Sequence, residues 1–481
     1  MRRLVALLAL SSLVVAAPTR GQEAAPPKAQ SVIYLIGDGM GVSQVTLGRL
    51  AAQELGRPYH FDRFKVTGLA DTSSANSKVT DSAAAATALA TGVRTNNWTV
   101  GVDPEGTPRE TLLEVAHRSG YRTGVVTSTR LSHATPAAFC AHAPHRNQEG
   151  KIAAQQVQSM VRDGFPDVFL GGGRRVFDDA ARAALADAGY AVVTEPSELG
   201  AAEGEKLAAF LSESHIPWRI DRPEGMPALA QITEKAVTTL AGKGAPFALM
   251  VEGGRIDHAA HSHDAASMIF EQLDFDAAVG WALSYAEQHP EVLVVVTADH
   301  ATGALGISEN TDVEALVKSR ASVDALLEGT KELTAAIKRM GPQLQRADPV
   351  SRAALFRDLH KSGLLVGFER SLAESHAVSL SDEEILEVFG DSDYYWQTLA
   401  LGHVLSERRA TYFYDPHVQH NELTGTHGHD GAAVPVFAFG PGAEAFGGLY
   451  ENREIPSRIA TSIGLPQPGA KLEVGILQGQ K

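Results

Sequence analysis

A single cysteine in 481 residues leaves no internal disulfide to form, so stability has to come from core burial and, where ligands allow, from metals. That cysteine, Cys140, sits in Ala137-Ala138-Phe139-Cys140-Ala141, the setting of a small buried hydrophobe. Positive charge is also short: 42 Lys and Arg stand against 57 Asp and Glu, a formal net charge of −15. Such a balance argues against nucleic acid as a specific partner, because that partner selects basic patches. It would also repel an anionic substrate unless metals or a local arginine reverse the field at the site. Long apolar runs are missing beyond the N-terminus. Nothing there approaches the ~18 uninterrupted apolar positions of a membrane span, so the mature chain is expected to be soluble. No internal repeat is visible.

The N-terminus has its own logic. Arg2-Arg3 precedes an apolar run from Leu4 to Ala17, a charged region and a hydrophobic region too short to span. This reads as a signal peptide, residues 1–21, cleaved after Gly21 or alternatively after Ala17, and it implies a periplasmic or secreted protein. Arg2-Arg3 alone does not decide between the general and the twin-arginine export routes. Residues 22–481 then form one domain large enough for a single α/β core.

Short apolar runs recur along that domain: Ser31–Ile36, Gly124–Thr127, Asp167–Leu170, Ala191–Val193, Phe247–Val251, Val292–Thr297 and Val434–Phe439. Helical patterns lie between most of them, for example Glu110–Arg118, Ile152–Val161, Asp178–Ala188, Leu229–Leu240 and Asp264–Ala286. Strands alternating with helices predict an α/β three-layer sandwich with a mostly parallel central sheet flanked by helices. From about Glu309 to Leu423 the alternation breaks. Val313–Lys318, Lys331–Arg339, Val350–Leu359, Asp382–Phe389 and Trp396–Ser406 read as helices with no convincing buried strand, a helical insertion late in the chain, between the last two core strands.

Thr80-Asp81-Ser82 precedes an alanine-rich run that ends at Gly92. Alanine is the strongest helix former and glycine a common stop, so a helix should begin at Ser82. A Ser or Asp cap is the ordinary reading of such a start. The near absence of bulk around it, however, lets something approach the helix N-terminus, which favours an anion. As a nucleophile Ser82 would need activation from afar, because no histidine lies within ten residues of it.

Candidate ligands gather where strands end, the ligand edge of an α/β sheet. Asp38 follows Ser31–Ile36 between glycines. Phe247–Val251 runs into Glu252-Gly253-Gly254-Arg255-Ile256-Asp257-His258-Ala259-Ala260-His261. There Asp257 and His261, four apart, share a helix face and can grip one cation, with Glu252 available to another. His258 and His263 fall on other faces. Asp299 and His300 follow Val292–Thr297, and either His427 or His429 precedes Val434–Phe439. Mixed carboxylate and imidazole ligands suit zinc and oxygen-rich positions magnesium, and the set is large enough for two or three ions. A two-metal site ~4 Å across can hold both the attacking and leaving oxygens of a phosphoryl transfer, and a bound metal would lower the Ser82 hydroxyl pKa.

Taken together these motifs resemble the alkaline phosphatase family over nearly the whole mature chain outside the insertion. They are Gly37-Asp38-Gly39-Met40-Gly41, Asp81-Ser82-Ala83-Ala84, Ser132-His133-Ala134-Thr135-Pro136-Ala137, Glu252-Gly253-Gly254-Arg255-Ile256-Asp257-His258, Thr297-Ala298-Asp299-His300 and His429-Asp430-Gly431. The resemblance implies hydrolysis of small phosphate monoesters through a phosphoserine on Ser82. It implies one Zn2+ on Asp38, Asp299 and His300 that activates Ser82, and a second on Asp257, His261 and His429. A third, Mg2+ site on Asp38, Thr135 and Glu252 completes the set. Arg146 is implied as the bidentate phosphate clamp, with Asp81 orienting it. His133 stands where some members place an aspartate beside the magnesium, so zinc or cobalt could compete there, and His258 where others place a lysine near the phosphate. His429, not His427, has the family's spacing to the next strand. Many relatives are dimers, and the insertion could form or block such an interface, leaving a homodimer open.

Related metal-bound cores occur in sulfatases, phosphodiesterases and cofactor-independent phosphoglycerate mutases. A sulfatase is disfavoured because the nucleophile position holds Ser82 and no Cys-x-Pro-x-Arg motif occurs. A diesterase is disfavoured because Glu252 and Thr135 fill the third site and many diesterases use threonine as nucleophile. A non-catalytic phosphate-binding protein would not need every catalytic position intact.

Overall fold

Strands β1 (Ser31–Gly37), β7 (Phe247–Gly253) and β8 (Val292–Ala298) are buried at every residue, as continuous apolar runs require when helices cover both faces of a sheet. The computed structural model describes residues 28–344, 348–390, 393–416, 426 and 428–472. The signal-peptide segment and His427 lie outside the described residues. The remaining strands are β2 (Val66–Asp71), β3 (Arg122–Arg130), β4 (Val168–Gly172), β5 (Ala191–Val193), β6 (Leu207–Phe210), β9 (Ala301–Thr302), β10 (Gly306–Ile307), β11 (Thr411–Tyr412), β12 (His429–Asp430), β13 (Val434–Phe439) and β14 (Gly448–Glu451).

Ten of these form one sheet in the order β14-β2-β13-β8-β1-β7-β3-β4-β6-β5. Every pairing in it is parallel except those of β13, which runs against both β8 and β2. Helices flank the sheet. Val42–Glu54 and Leu229–Ala241 both pack on Ala265–Gln288, and Ser82–Thr91 packs on Ala134–Ala138 and Ile455–Ile463. The sheet is therefore mixed and mostly parallel, in an α/β sandwich.

Three core strands, β2, β6 and β14, escape the sequence reading. Two further corrections fall in the late helical stretch. Thr411–Tyr412 is a strand, pairing antiparallel with Gly306–Ile307, and Leu364–His376 is a helix that the periodicity did not mark. Residues of that stretch build their own hydrophobic cluster, with Val323, Leu326, Leu365, Phe368, Phe389, Trp396 and Leu399 buried together. Cys140 is buried and unpaired in the main core, its thiol pushed up to about 12 by burial.

Candidate active site

Register decides what meets at the ligand edge. Gly37 of β1 lies opposite Gly253 of β7 and Ala298 of β8, so Asp38, Glu252 and Asp299 emerge side by side. His429 arrives differently. Because β13 is antiparallel, its beginning and not its end lies at that edge. The ribbon of β9 and β12 then sets His429 opposite Thr302, two residues past His300. Gly39 allows the crowding: it has φ +71°, and a Cβ there would lie 2.7 Å from the Asp257 Cα.

The helix Ser82–Thr91 is buried along its length and is stopped by Gly92 at φ 74°. Asp81 caps it, Oδ1 accepting from the backbone N–H of Ala84 at 3.0 Å and of Trp98 at 2.9 Å. The other oxygen, Oδ2, accepts from Arg146 Nη1 at 3.1 Å, while Arg146 Nη2 lies 3.1 Å from His133 Nε2. Asp81 is thus shared between the cap and the arginine. Ser82 and Arg146 line one cleft of about 620 Å³, together with His133, Asp257, His258, His261 and His429. The imidazole missing from the Ser82 neighbourhood in sequence is supplied across 218 residues: His300 Nε2 stands 3.2 Å from Ser82 Oγ.

Three groups of ligand atoms converge, each lying within 4.8 Å of one another: Asp257, His261 and His429; Asp38, Asp299 and His300; and Asp38, His133 and Glu252. Thr135 is buried in the short helix Ala134–Ala138, its hydroxyl without a hydrogen-bond partner. His429 Nδ1 donates to the Thr80 carbonyl at 2.9 Å, leaving Nε2 3.0 Å from His261 Nε2 and 3.6 Å from Asp257. Asp299 Oδ1 accepts from the N–H groups of Gly39 at 3.0 Å and His300 at 2.8 Å.

The electrostatics call for cations. Burial first, then Asp299, Asp257 and Glu252, push the Asp38 carboxyl well above the usual range, and neither of its oxygens has a hydrogen-bond partner. Glu252 is pushed up to about 7, chiefly by burial, although Thr127 and Thr129 hydrogen-bond it. Burial alone would raise Asp257 as well, but His261, His429 and His300 hold it low. Burial depresses His133 and His429, and it would depress His300 were Asp299 not raising it. Four carboxylates crowded out of water lack the positive charge that divalent ions would supply.

Sequence reasoning missed the groups that steer these ligands. Thr302 donates to Asp257 Oδ1 at 2.6 Å and lies 3.2 Å from His300 Nδ1, while Thr127 and Thr129 hold Glu252. His215 was also missed. Its ring centroid lies 4.5 Å from that of His258 and 5.6 Å from that of His133. Nothing in Ser214-His215-Ile216-Pro217 marks it as a site residue. His258, expected on another face from Asp257 and His261, sits 5.4 Å from His133.

The alkaline phosphatase family model matches residues 29–465. The chain belongs to the alkaline phosphatase family. It is 31% identical over 446 residues to alkaline phosphatase 3 of Bacillus subtilis, covering 89% of this chain and 88% of that one. It is also 36% identical over 351 residues to the streptomycin-6-phosphate phosphatase of Streptomyces griseus, 59% of this chain and 76% of that protein. Among solved structures, a cold-active alkaline phosphatase from Shewanella sp. superposes with a TM-score of 0.72 at 29% identity, covering 90% of this chain and all of that one. The Thermus thermophilus alkaline phosphatase gives 0.75 at 25% identity, covering 95% and 98%. Membership carries with it a metal-dependent phosphatase activity on phosphate monoesters. No helix among the described residues is long and apolar enough to cross a membrane.

Proposed function

We propose that this alkaline phosphatase hydrolyses small phosphate monoesters through a phosphoserine on Ser82. On this reading Asp38, Asp299 and His300 hold one Zn2+, Asp257, His261 and His429 a second, and Asp38, Thr135 and Glu252, with His133 beside them, an Mg2+. The observation that carries it is the placement of Ser82 Oγ at a capped helix start, 3.2 Å from His300 and in one cleft with Arg146. When bound, the ions would supply a more acidic serine hydroxyl, charge stabilisation on the leaving oxygen and an activated water.

The chain's own groups do the positioning. Asp81 and His133 each take one terminal nitrogen of Arg146, which fixes the fork and leaves further N–H groups for two phosphate oxygens. The first turn of the Ser82 helix turns its positive end towards the same place. Ser82 Oγ attacks phosphorus and the ester oxygen departs with the alcohol. Water then attacks the phosphoserine from the opposite side, releasing inorganic phosphate and restoring the hydroxyl. His258, packed against His133, borders the phosphate position.

A third metal site has a parallel in the alkaline phosphatase of the Antarctic bacterium TAB5. A histidine-to-aspartate mutant of it, 26% identical with a TM-score of 0.61, was solved with Mg bound in its M3 site. The same proposal places the enzyme in the periplasm or outside the cell, on the strength of the charged and apolar opening segment.

The purified protein should release phosphate from p-nitrophenyl phosphate at alkaline pH and stop on treatment with a chelator. Ser82→Ala should neither turn over nor trap labelled phosphate, and full activity in that variant would overturn the phosphoserine route. Faster turnover of bis(p-nitrophenyl) phosphate than of the monoester would make the protein a diesterase instead.

A further inference from the structure

The cleft holds a second guanidinium that the reaction above leaves idle. Arg255 opens the helix Arg255–His261, which also carries Asp257 and His261. It is 9% exposed and lines the cleft with Ser82 and Arg146. Its guanidinium lies over the Trp218 ring, 3.4 Å from the centroid, with Nη1 3.2 Å from His258 Nδ1.

Nearby acids are engaged elsewhere. Asp274 pairs with Arg222 at 2.8 Å and Arg219 at 3.6 Å, and Glu271 accepts from the Arg219 backbone N–H at 2.7 Å. Asp324 accepts from the Trp218 indole N–H at 2.7 Å and the Tyr394 hydroxyl at 3.1 Å. Arg255 Nε is buried without a hydrogen-bond partner, and no Asp or Glu of the described residues pairs with the guanidinium. A charge taken out of water is costly unless it is partnered, and stacking on an aromatic face returns only part of that cost. A guanidinium fixed beside a substrate cleft can offer its terminal nitrogens to a carboxylate or phosphate.

The late helical stretch holds this arrangement in place. Asp324 ties the Trp218 ring down, and Tyr394 and Tyr395 line the same side of the cleft. Through His258 the guanidinium stands one ring from His133, which itself contacts Arg146.

We infer that Arg255, held against Trp218 by Asp324, binds a second anionic group of the substrate next to the transferred phosphate, so that the enzyme favours phosphate monoesters whose alcohol carries a carboxylate or another phosphate. The inference rests on the monoesterase reading and narrows its substrate class. Arg255 is then a specificity-determining residue, and Trp218 and Asp324 are positioning residues.

The test compares 2-phosphoglycolate with ethyl phosphate, which differ in one carboxylate, using the metal-loaded full chain at pH 8. The wild type should favour phosphoglycolate by about fivefold or more in kcat/KM, with the difference residing in KM. Arg255→Met should abolish the preference, Arg255→Lys should keep part of it, and Asp324→Asn should narrow it. Equal or poorer use of phosphoglycolate by the wild type overturns the inference without reliance on any variant, as does an unchanged preference in Arg255→Met. If neither compound is hydrolysed, the monoesterase reading itself has failed; ethyl phosphate turnover without a preference sinks only the inference.

Discussion

Asp81 offers a test in which two roles of one carboxylate can be pulled apart. Oδ1 accepts from the N–H groups of Ala84 and Trp98, and Oδ2 accepts from Arg146, all within 3.1 Å. In Asp81→Asn the amide oxygen can keep the Oδ1 bonds, while an N–H2 group replaces the acceptor facing Arg146. In Asp81→Ala both functions go. Loss of the cap costs about 1 kcal/mol. Stranding the Trp98 N–H adds roughly 1–3 kcal/mol, so the alanine variant should lose about 2–4 kcal/mol of stability and the asparagine variant well under half of that. Freeing Arg146 returns the ordering cost of one long side chain, about 0.5–1.5 kcal/mol, which weakens inorganic phosphate binding by roughly 2- to 13-fold in both variants. Denaturation midpoints and phosphate inhibition constants, measured on the metal-loaded proteins, give the two readings independently. Equal destabilisation by Asn and Ala would show that Oδ1 is not the cap. An unchanged inhibition constant in Asp81→Asn would show that the carboxylate does not organise Arg146.

Glu252, raised to about 7 by burial, binds protons in the folded metal-free protein that the unfolded chain has already released, so its contribution to stability falls as pH rises from its ordinary value through 7. His133, His215, His258 and His429, depressed chiefly by burial, act oppositely, losing stability as pH falls through 6.5. Chelator-treated protein should therefore melt highest near pH 6–7, with the gap to metal-loaded protein widening towards pH 9; a gap independent of pH would contradict this account. Glu252→Gln should carry one metal fewer per chain than wild type by elemental analysis, and equal content would remove Glu252 from the third site. Gly39→Ala should fold poorly and bind metal weakly, because its Cβ would meet Asp257 Cα at 2.7 Å in a left-handed backbone; wild-type metal content and melting would refute that crowding.

What the sequence reveals of the fold follows how each strand is buried. β1, β7 and β8 lie mid-sheet between two layers of helix, so their apolar residues run unbroken and can be read directly. β2 has only alternate residues buried and includes Gly68 and Ala70. β6 is Leu-Ala-Ala-Phe, four residues of a composition that also suits a helix. β14 forms an edge, with Leu449 73% exposed, and looks like a turn followed by loop. Each is a strand because a neighbour pairs with it, and pairing partners are not written in a local window. The helix Leu364–His376 was hidden for a related reason: it buries only Leu365, Phe368, Leu372 and His376, against a satellite cluster and not the main core.

At the site, the legible residues announce themselves by spacing or by following an apolar run. Asp257 and His261 declare a shared helix face, whereas Thr302, His215 and Asp324 act only through groups brought from distant segments. Convergence itself depends on a feature outside the reach of periodicity, the direction of β13. Its six residues span about 20 Å. Had it run parallel to β8, the residues ahead of it would emerge at the opposite edge of the sheet, and His429 could not stand 3.0 Å from His261. The reversal follows from the chain's route. β9 and β12 pair as a ribbon at the ligand edge, so whatever path the intervening helical stretch takes, the chain returns to the sheet from that edge. This separates the length and packing of the stretch from the ligand geometry. The same stretch can therefore present Asp324 and Tyr394 to the cleft and differ in those contacts while His429 stays where the ribbon puts it.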